Sequence, residues 1–324
     1  MQRDVHLVLD PVRLALSVPQ ALWWLLRRRP AAIFTTGGYV AIPILIAARL
    51  LGIPSLLWEG NVIPGRSVRA TARLASAIAV SFAATCRALP SRGGCFVTGT
   101  PIRDVAGVDR LAARERLGLP ADGRLVVIFG GSQAVRRLNE AVAAALPRLV
   151  ERAIVIHVTG PDGLGAASAA RASLPEPVRE RYRPEAFLGE GLLDALAAAD
   201  LVVGRAGSST LAEVAAFGLP LVVVPYPYAG AHQRANAAEL VEAGAAQVID
   251  DEAFDAEALV GAMTILDDPS RHAAMSGAAR GLARPGAAAA IAEILLALGE
   301  RRPLPAPDAV ADIAAGRAFP GSAA

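Results

Sequence analysis

Short apolar segments alternate with amphipathic helical stretches along most of this chain, and this alternation limits the folds it can adopt. The segments are too continuously hydrophobic to lie with one face in water, so they predict buried parallel strands. Parallel strands need crossover helices, such as the stretches Val135–Val150 and Gln233–Ala243, and the pattern therefore predicts an α/β fold. The candidate strands are Ala31–Phe34, Ser55–Trp58, Ala77–Ser81, Cys95–Thr98, Leu125–Phe129, Ile154–Val158, Leu201–Val203, Leu221–Val224 and Gln247–Ile249.

These strands form two sets, separated by a break near Pro101–Arg110. We expect two doubly wound domains, over residues 1–104 and 105–300, and a flexible tail rich in Pro, Ala and Gly over 301–324. The first domain opens on a helical pattern, Val12–Arg29, where a doubly wound domain normally opens on a strand and a glycine turn. Either Val5–Leu9 is a strand without that turn, or the first βα units are missing from this chain. We favour the second explanation, which makes the first domain N-terminally truncated.

Composition excludes several classes of protein. With 32 basic and 30 acidic side chains the formal net charge is +2, so we expect no nucleic-acid partner. A hydrophobic fraction of 54% excludes intrinsic disorder. Cys86 and Cys95 are too few for a disulfide scaffold or a four-cysteine zinc site. The longest uncharged run, Pro30–Ala48, contains a glycine pair and a proline, and no secretory signal opens the chain, so we expect a soluble, cytosolic protein.

Glycine-containing turns follow three of the candidate strands, at Thr36–Tyr39, Gly130–Gln133 and Arg205–Thr210. Glycines allow backbone N–H groups to approach a ligand, and the N-terminus of the next helix attracts anions. Ligands of open α/β sheets bind beyond the carboxyl ends of the strands, where these turns would lie. Each turn by itself could also be an ordinary βα connection.

Several familiar binding motifs are absent from the sequence. It has no Walker motif, no strict G-x-G-x-x-G fingerprint and no Gly-x-Ser-x-Gly elbow. The Asp-x-Asp pair that usually holds a divalent ion on a sugar nucleotide is also absent, and the adjacent acids Asp250–Glu252 and Asp267–Asp268 are better explained as solvated surface. These absences favour diphosphate binding by arginine, hydroxyls and helix dipoles, with no metal site and no cofactor.

Six segments occur in an order that resembles the MurG family of glycosyltransferases. The resemblance implies a GT-B fold, with two Rossmann-like domains that face each other across a cleft, one for the acceptor and one for the donor. It also implies inverting, metal-independent transfer of N-acetylglucosamine from UDP-N-acetylglucosamine to the C4 hydroxyl of undecaprenyl-pyrophosphoryl-N-acetylmuramoyl-pentapeptide, in peptidoglycan synthesis. The segments are Thr36–Pro43, Trp58–Gly65, Val97–Arg103, Phe129–Asn139, Arg205–Glu213 and Val224–Ala237.

The same resemblance implies roles for individual residues. On the donor side, Arg103 would contact the donor, Glu213 the ribose hydroxyls, and Leu188 the uracil through its backbone. Arg103 could also be a surface arginine, Ser132 a simple helix cap and Leu188 an ordinary core residue. We expect His157, in an apolar strand, to be a satisfied core histidine. The remaining implied contacts are Ser132 and Thr210 to the phosphates, Gln233 to the donor sugar, Ser209 and His232 as further substrate-binding residues, and Tyr39 and Asn61 in the cleft.

The chain also departs from the family pattern. The family begins with a Gly-rich loop ending in the histidine that is the usual candidate general base, and this loop is missing here. The family's His-Glu-Gln-Asn is Trp58-Glu59-Gly60-Asn61 in this chain. The catalytic residue is therefore unknown, with Glu59 a possible contributor. Two alternatives stay open: a catalytically impaired UDP-sugar-binding paralogue or scaffold of the envelope machinery, and a GT-B enzyme such as a UDP-N-acetylglucosamine 2-epimerase.

The helical pattern Val12–Arg29 is rich in apolar residues and ends in three arginines. It is interrupted by Pro19 and too short to span a bilayer, but tryptophans at 23 and 24 and the arginines suit an interfacial helix on anionic lipid. We expect it to hold the protein, as a peripheral enzyme, on the cytoplasmic face of the plasma membrane, where the lipid-linked acceptor lies. Alternatively, its apolar residues pack under the first domain.

Overall fold

The computed structural model describes residues 3–130, 136–227 and 232–317, with side chains from Leu16 onward. Up to residue 101 helices and strands alternate, after a long opening helix that includes the segment considered as a possible strand at Val5–Leu9. The elements are α1 Arg3–Arg28, β1 Ile33–Thr35, α2 Ala41–Leu51, β2 Ser55–Glu59, α3 Arg66–Thr71, β3 Ala77–Val80, α4 Ala83–Cys86 and β4 Cys95–Val97.

The alternation continues to residue 283, and two further helices follow. Short 3-10 helices at Asp251–Ala253 and Met263–Asp267 flank α12. The elements are α5 Arg110–Arg116, β5 Leu125–Phe129, α6 Arg136–Arg152, β6 Ile154–Val158, α7 Leu164–Ser173, α8 Glu176–Arg179, β7 Tyr182–Glu185, α9 Gly191–Ala198, β8 Leu201–Gly204, α10 Ser208–Phe217, β9 Leu221–Val223, α11 His232–Glu242, β10 Ala246–Val248, α12 Ala256–Ala262, α13 Pro269–Leu282, α14 Ala287–Gly299 and α15 Pro307–Ala314.

The strands form two entirely parallel sheets, as predicted. One has four strands in the order β1-β2-β3-β4, and the other has six in the order β10-β9-β8-β5-β6-β7. All nine predicted strands are present within a residue or two of their expected ends. Strand β7 was not predicted from the sequence, because Arg183, Pro184 and Glu185 interrupt any apolar run. Proline is tolerated there because β7 is the last strand of its sheet.

The chain divides into two compact units. The first unit contains the residues up to 101 and those from 284 onward, and the second unit contains residues 102–283. The expected flexible tail over 301–324 is wrong for α15, whose Val310, Ile313 and Ala314 are buried in the core of the first unit with Ile291 and Ile294 of α14. Their spacing places the three side chains on one helix face, which the high Pro and Ala content of the segment conceals.

One apolar stretch of the described residues, Pro269–Gly299, is long enough by composition to cross a membrane. The structure divides it into α13 and α14, with a break at Ala283–Gly286, and a third of its 18-residue apolar window is buried. These are separate helices of the two units, and the stretch is not one continuous helix.

A disulfide joins Cys86, at the end of α4, to Cys95, at the start of β4. Both cysteines are half-buried and pack against a cluster that contains Leu57, Val80 and Leu89. The sequence analysis had excluded a disulfide scaffold, and a single local bridge is consistent with that exclusion, although the bridge itself was not expected.

Candidate active site

A cavity of about 1550 Å³ opens in the second unit at the carboxyl ends of β5, β6 and β7. This is the edge at which the βα turns of a parallel sheet meet, and the position expected for a ligand. Gly204, at the end of β8, keeps this edge compact, because a Cβ there would lie 2.7 Å from the carbonyl oxygen of Phe129. The volume exceeds the 300–1,000 Å³ of common ligand pockets. The sequence-predicted residues in its lining are Arg103, Leu188, Ser209, Thr210 and Glu213.

Glu213 and Arg103 form an ion pair in the wall of this cavity. Arg103 Nη2 lies 3.4 Å from Glu213 Oε1, and Nη1 donates to the carbonyl of Gly189 at 3.2 Å. The side chain of Glu213 is 11% exposed and that of Arg103 41%. Burial raises the pKa of the Glu213 carboxyl, and the nearby guanidinium opposes this in part. Arg103 is therefore held at the cavity by two contacts, although it remains an exposed residue.

The first turn of α10 lies at the same cavity wall. The helix is capped by Gly207 in an extended conformation, with no side-chain hydrogen bond to the cap. The N–H groups of a first turn have no partner within the helix, and together with the helix dipole they attract anions. Ser209 and Thr210, in this turn, both line the cavity, so their hydroxyls are available beside the N–H groups.

The loop after β7 supplies an apolar wall. Phe187 is 82% exposed, and Leu188 is half-buried. Both line the cavity, so Leu188 is not the ordinary core residue considered as its alternative. An exposed phenylalanine beside a cavity provides a flat apolar surface against which a planar ring can pack.

Gln233 and His232 begin α11, and the described lining of the cavity does not include them. Gln233 Oε1 accepts hydrogen bonds from the backbone N–H groups of Ala206 at 3.2 Å and Tyr226 at 2.9 Å. Its acceptor thus ties the loop after β8 to the loop after β9. His232 Nδ1 is buried without a hydrogen-bond partner among the described residues. Ser132 lies outside the described residues.

His157 differs from the expectation of a satisfied core histidine. It is 1% exposed, and its Nδ1 shares a hydrogen bond of 2.8 Å with the Tyr182 hydroxyl, but Nε2 has no partner in the part of the chain that the structure describes. Burial lowers the pKa of the imidazole to about 4 and raises the pKa of Tyr182 to about 12. The ring is therefore neutral at physiological pH, and it lies in the cavity lining.

Two arginines converge on Asp251, which was expected to be solvated surface. Its carboxylate pairs with Arg205 Nη1 at 2.5 Å and with Arg137 Nε at 3.1 Å, and the side chain is 11% exposed. Arg205 is itself buried, donates to the carbonyl of Val224 at 3.0 Å, and lies over the ring of Tyr226. The acidic run around Asp251 does not indicate these arginine partners, because Arg137 lies on α6 and Arg205 in the turn after β8.

In the first unit, Glu59 and Asn61 form a compact loop at the end of β2. Glu59 Oε1 accepts from the backbone N–H of Asn61 at 2.8 Å and from its Nδ2 at 3.0 Å, and Oε2 accepts from the N–H of Gly65 at 3.1 Å. Both carboxylate oxygens hold the loop 60–65, which leaves Glu59 poorly placed to accept a proton from a substrate. Trp58 donates to the carbonyl of Gly99 at 3.2 Å.

Tyr39 lies beyond β1 at the turn into α2 and is 71% exposed. The turn contains Gly37 and Gly38, with φ of 80° and 82°. A side chain at Gly37 would also meet Val68 Cγ2 at 2.5 Å, so glycine is required there. The structure thus places Tyr39, Glu59 and Asn61 after neighbouring parallel strands of one sheet. Across the described residues, no group of three or more His, Cys, Asp or Glu side chains could hold a metal ion.

Comparisons with known proteins match both units. The family model described as glycosyltransferase family 28 N-terminal domain matches residues 3–80, and that of the family 28 C-terminal domain matches residues 125–293. A relative from Roseiflexus sp. (strain RS-1), named UDP-N-acetylglucosamine--N-acetylmuramyl-(pentapeptide) pyrophosphoryl-undecaprenol N-acetylglucosamine transferase, is 37% identical over 93% of this chain and 77% of its own length.

Solved structures agree with these matches. The crystal structure of Acinetobacter baumannii MurG has a TM-score of 0.71 at 29% identity, and the likeness covers 88% of this chain and 80% of that one. A UDP-GlcNAc 2-epimerase from Neisseria meningitidis, bound to UDP-GlcNAc, has a TM-score of 0.63 at 12% identity over 86% of this chain and 80% of its own. The second likeness concerns the fold alone.

Proposed function

Because this chain belongs to the MurG family of glycosyltransferases, we propose that it transfers N-acetylglucosamine from UDP-N-acetylglucosamine to the C4 hydroxyl of undecaprenyl-pyrophosphoryl-N-acetylmuramoyl-pentapeptide. The product of this hexosyl transfer is the lipid-linked disaccharide of peptidoglycan synthesis. The observation that carries the proposal is the ion pair between the largely buried Glu213 and the more exposed Arg103 in the cavity of the second unit. A carboxylate with two acceptor oxygens suits the vicinal hydroxyls of a ribose, and a guanidinium suits the oxygens of a diphosphate.

The donor would lie along the carboxyl edge of the six-stranded sheet. Phe187 and Leu188 provide an apolar wall for the uracil, and the backbone at Leu188 can read its edge. Glu213 accepts from the ribose hydroxyls, and the first turn of α10, with Ser209 and Thr210, holds phosphate oxygens. Gln233 and His232 remain proposed contacts of the donor sugar.

The transfer would invert the anomeric centre. The acceptor C4 hydroxyl attacks the anomeric carbon, the bond to the diphosphate oxygen breaks, and UDP leaves as its charge grows. Arg103 and the N–H groups at the start of α10 are fixed before the reaction, so they can stabilise that charge without a metal ion. A general base must take the hydroxyl proton, and the hydrogen bonds that occupy Glu59 argue for a different group.

We also propose that the first unit receives the acceptor and contacts anionic lipid, on the cytoplasmic face of the plasma membrane. Tyr39 and Asn61 follow β1 and β2 and would line the acceptor side. On α1, Trp23 and Trp24 are 55% and 53% exposed. Arg27 and Arg28 lie over these rings, at 4.7 Å and 5.3 Å from ring centroid to guanidinium carbon, which places charge beside the aromatic surface. No role for nucleic acid is proposed.

Donor binding is the first test of this function. Titration calorimetry with UDP-N-acetylglucosamine in EDTA should show binding to the wild type. Glu213→Ala should weaken it by about 1–3 kcal/mol, roughly 5- to 150-fold, because ribose hydroxyls lose their buried acceptor. Glu242→Ala, which removes an exposed carboxylate on α11, is the matched control and should leave the affinity unchanged. Strict dependence on Mg²⁺ would contradict a metal-free donor site.

A transfer assay separates the proposal from the paralogue alternative. The engaged carboxylate of Glu59, and Trp58 in place of the family's histidine, favour a UDP-sugar-binding protein as the second candidate. Donor binding with labelled disaccharide formed supports the transferase. Donor binding with neither transfer nor epimerised product supports the binding protein.

A further inference from the structure

Thr85, the neighbour of Cys86, links the disulfide Cys86–Cys95 to the loop 60–65 of the first unit through one hydrogen bond. Thr85, next to Cys86 in α4, is fully buried, and its hydroxyl donates to the carbonyl of Asn61 at 3.0 Å. Asn61 in turn donates to Glu59 from its backbone and its side chain. The loop is thus held from β2 by Glu59 and from α4 by Thr85.

α4 is a single turn, so its own hydrogen bonds hold it weakly. It contains four residues, and a helix of that length is unstable without tertiary contacts. The disulfide is its covalent attachment to β4, and the bridged cysteines are nine residues apart in sequence. Loss of the bridge would leave Thr85 positioned only by the packing of this turn.

The surroundings of the bridge suit exchange with small anionic thiols. Between Glu59 and Ile102 the sequence has no acidic residue, and two of its arginines, Arg87 and Arg92, are exposed within the bridged segment. The positive charge of these arginines attracts the anionic thiolate of a small thiol. Both cysteines are only half-buried, and most residues of the segment are exposed, so a small thiol can reach the bridge.

We propose that Cys86–Cys95 is a reversible thiol–disulfide exchange site that controls how firmly the loop 60–65 is held, and thereby tunes acceptor binding by the first unit. The consequence for the acceptor rests on the proposed function, whereas the effect on the loop does not. The thiolate of a small thiol attacks one Sγ, forms a mixed disulfide and releases the other Sγ. A second thiol resolves the intermediate, so two thiols become one small disulfide, and the protein gains two electrons and two protons. Oxidised glutathione reverses the reaction.

Hydrogen–deuterium exchange of the full chain in oxidised and reduced glutathione tests this. Maleimide labelling with mass spectrometry counts the protein thiols in each buffer. On reduction, we expect two thiols to appear and amide exchange over residues 60–65 to become at least about fivefold faster, since local opening sets the exchange rate. Residues 159–163 in the second unit are the internal control and should be unchanged.

Variants separate the bridge from its link to the loop. The double variant Cys86→Ser, Cys95→Ser should show fast amide hydrogen exchange over residues 60–65 in both buffers. Thr85→Val should do the same while its bridge still responds to glutathione, and Ser91→Ala, within the bridged segment, should behave as wild type. Equal exchange of wild-type residues 60–65 in both buffers, or free thiols in oxidised glutathione, would overturn the proposal, even if the double variant fails to fold.

The effect on the acceptor has its own measurement. If the chain transfers sugar, reduction should raise the KM for the lipid-linked acceptor at least about threefold and leave the donor Kd unchanged. If reduction speeds amide exchange over residues 60–65 but leaves the KM for the acceptor unchanged, the claim that the bridge tunes acceptor binding is overturned. The claim that it controls the loop would stand. Failure of the proposed function would show instead as absent donor binding in the second unit, which the exchange experiment does not use.

Discussion

Glu213, which we propose as a donor contact, illustrates how burial of a carboxyl can lower stability. Because burial raises its pKa, the folded state binds a proton more tightly than the unfolded state does. The stabilisation that proton binding by the Glu213 carboxyl provides is complete below the pKa of this group in the unfolded state. It is lost as the pH rises through the pKa of the group in the folded state. Where the carboxyl is ionised, the folded protein therefore holds a buried charge, which stabilises the fold less than a neutral side chain would.

Glu213→Gln should therefore raise the unfolding temperature at pH 7, by roughly 2–4 °C if the gain is about 1 kcal/mol in a unit of this size. The gain should shrink as the pH falls, because protonation neutralises the wild-type carboxyl. Scanning calorimetry at pH 7 and at lower pH measures it, with Glu242→Gln as the exposed control. A variant less stable than wild type at pH 7 would mean that the pair with Arg103 outweighs the cost of burial.

His157 should make stability depend on pH in the opposite sense. With a folded pKa of about 4 and an ordinary value near 6.5, the unfolded state binds the proton first as the pH falls. The stabilising contribution is complete above about 6.5 and is lost between there and about 4, a total of roughly 3 kcal/mol. Urea unfolding of wild type and His157→Gln between pH 7 and 4 tests this. Parallel pH profiles for the two proteins would contradict it.

Among the helices, α1 has two different faces. Leu25 is 5% exposed and packs with Ala47 and Ala48 of α2, whereas Trp23 and Trp24 point outward. The alternative in which the apolar residues of α1 simply pack on the first unit therefore applies to one face of the helix. The outward face has the composition of an interfacial helix.

Vesicle co-sedimentation should show this. Trp23→Ala with Trp24→Ala, and glutamine at positions 27–29, should each weaken binding to anionic vesicles. The three arginines contribute about 1 kcal/mol each, or roughly 150-fold together at low salt. Leu111→Ala removes an equally exposed leucine from α5 in the second unit and should have no effect. If binding survives both changes, α1 is not the docking element.

At the scale of the whole molecule, the first unit consists of two separate parts of the chain. Its last helices, α14 and α15, follow the second unit in sequence. α14 and α15 cover the four-stranded sheet, where Ile291, Ile294 and Ile313 pack against Leu56 and Phe96. The core of the second unit is made of residues between 126 and 275, and includes none of these helices.

A chain that stops at Ala283 should therefore lose the first unit and keep the second. Its amides before residue 101 should exchange rapidly, because more than half of the cluster around Leu56 is gone. Donor affinity should stay within about twofold of the full chain, since the described lining of the cavity lies between 103 and 213. Loss of donor binding would show that the second unit does not fold alone.

The sequence determined the strands and the turns that follow them. Apolar runs such as Leu125–Phe129 and Ile154–Val158 predict buried strands, because a strand that is covered on both faces has no polar side. Once the sheets are parallel, their carboxyl ends meet at one edge, and this places Ser209, Thr210 and Glu213 at the cavity without further information. The motifs that resemble the MurG family lie on the same elements, and the comparisons confirm that resemblance.

Tertiary structure decided the features that depend on partners distant in sequence. Arg103 contacts Glu213 across 110 residues, and Asp251 becomes a buried partner of Arg205 although its own neighbours are acidic and polar. The polar strand β7 is stabilised by pairing with β6 at the edge of its sheet. Helix α15 is stabilised by packing in the core of the first unit. Periodicity and composition indicate whether a segment is buried or exposed. These contacts depend instead on which distant segments the fold brings together, so the sequence pattern alone does not reveal them.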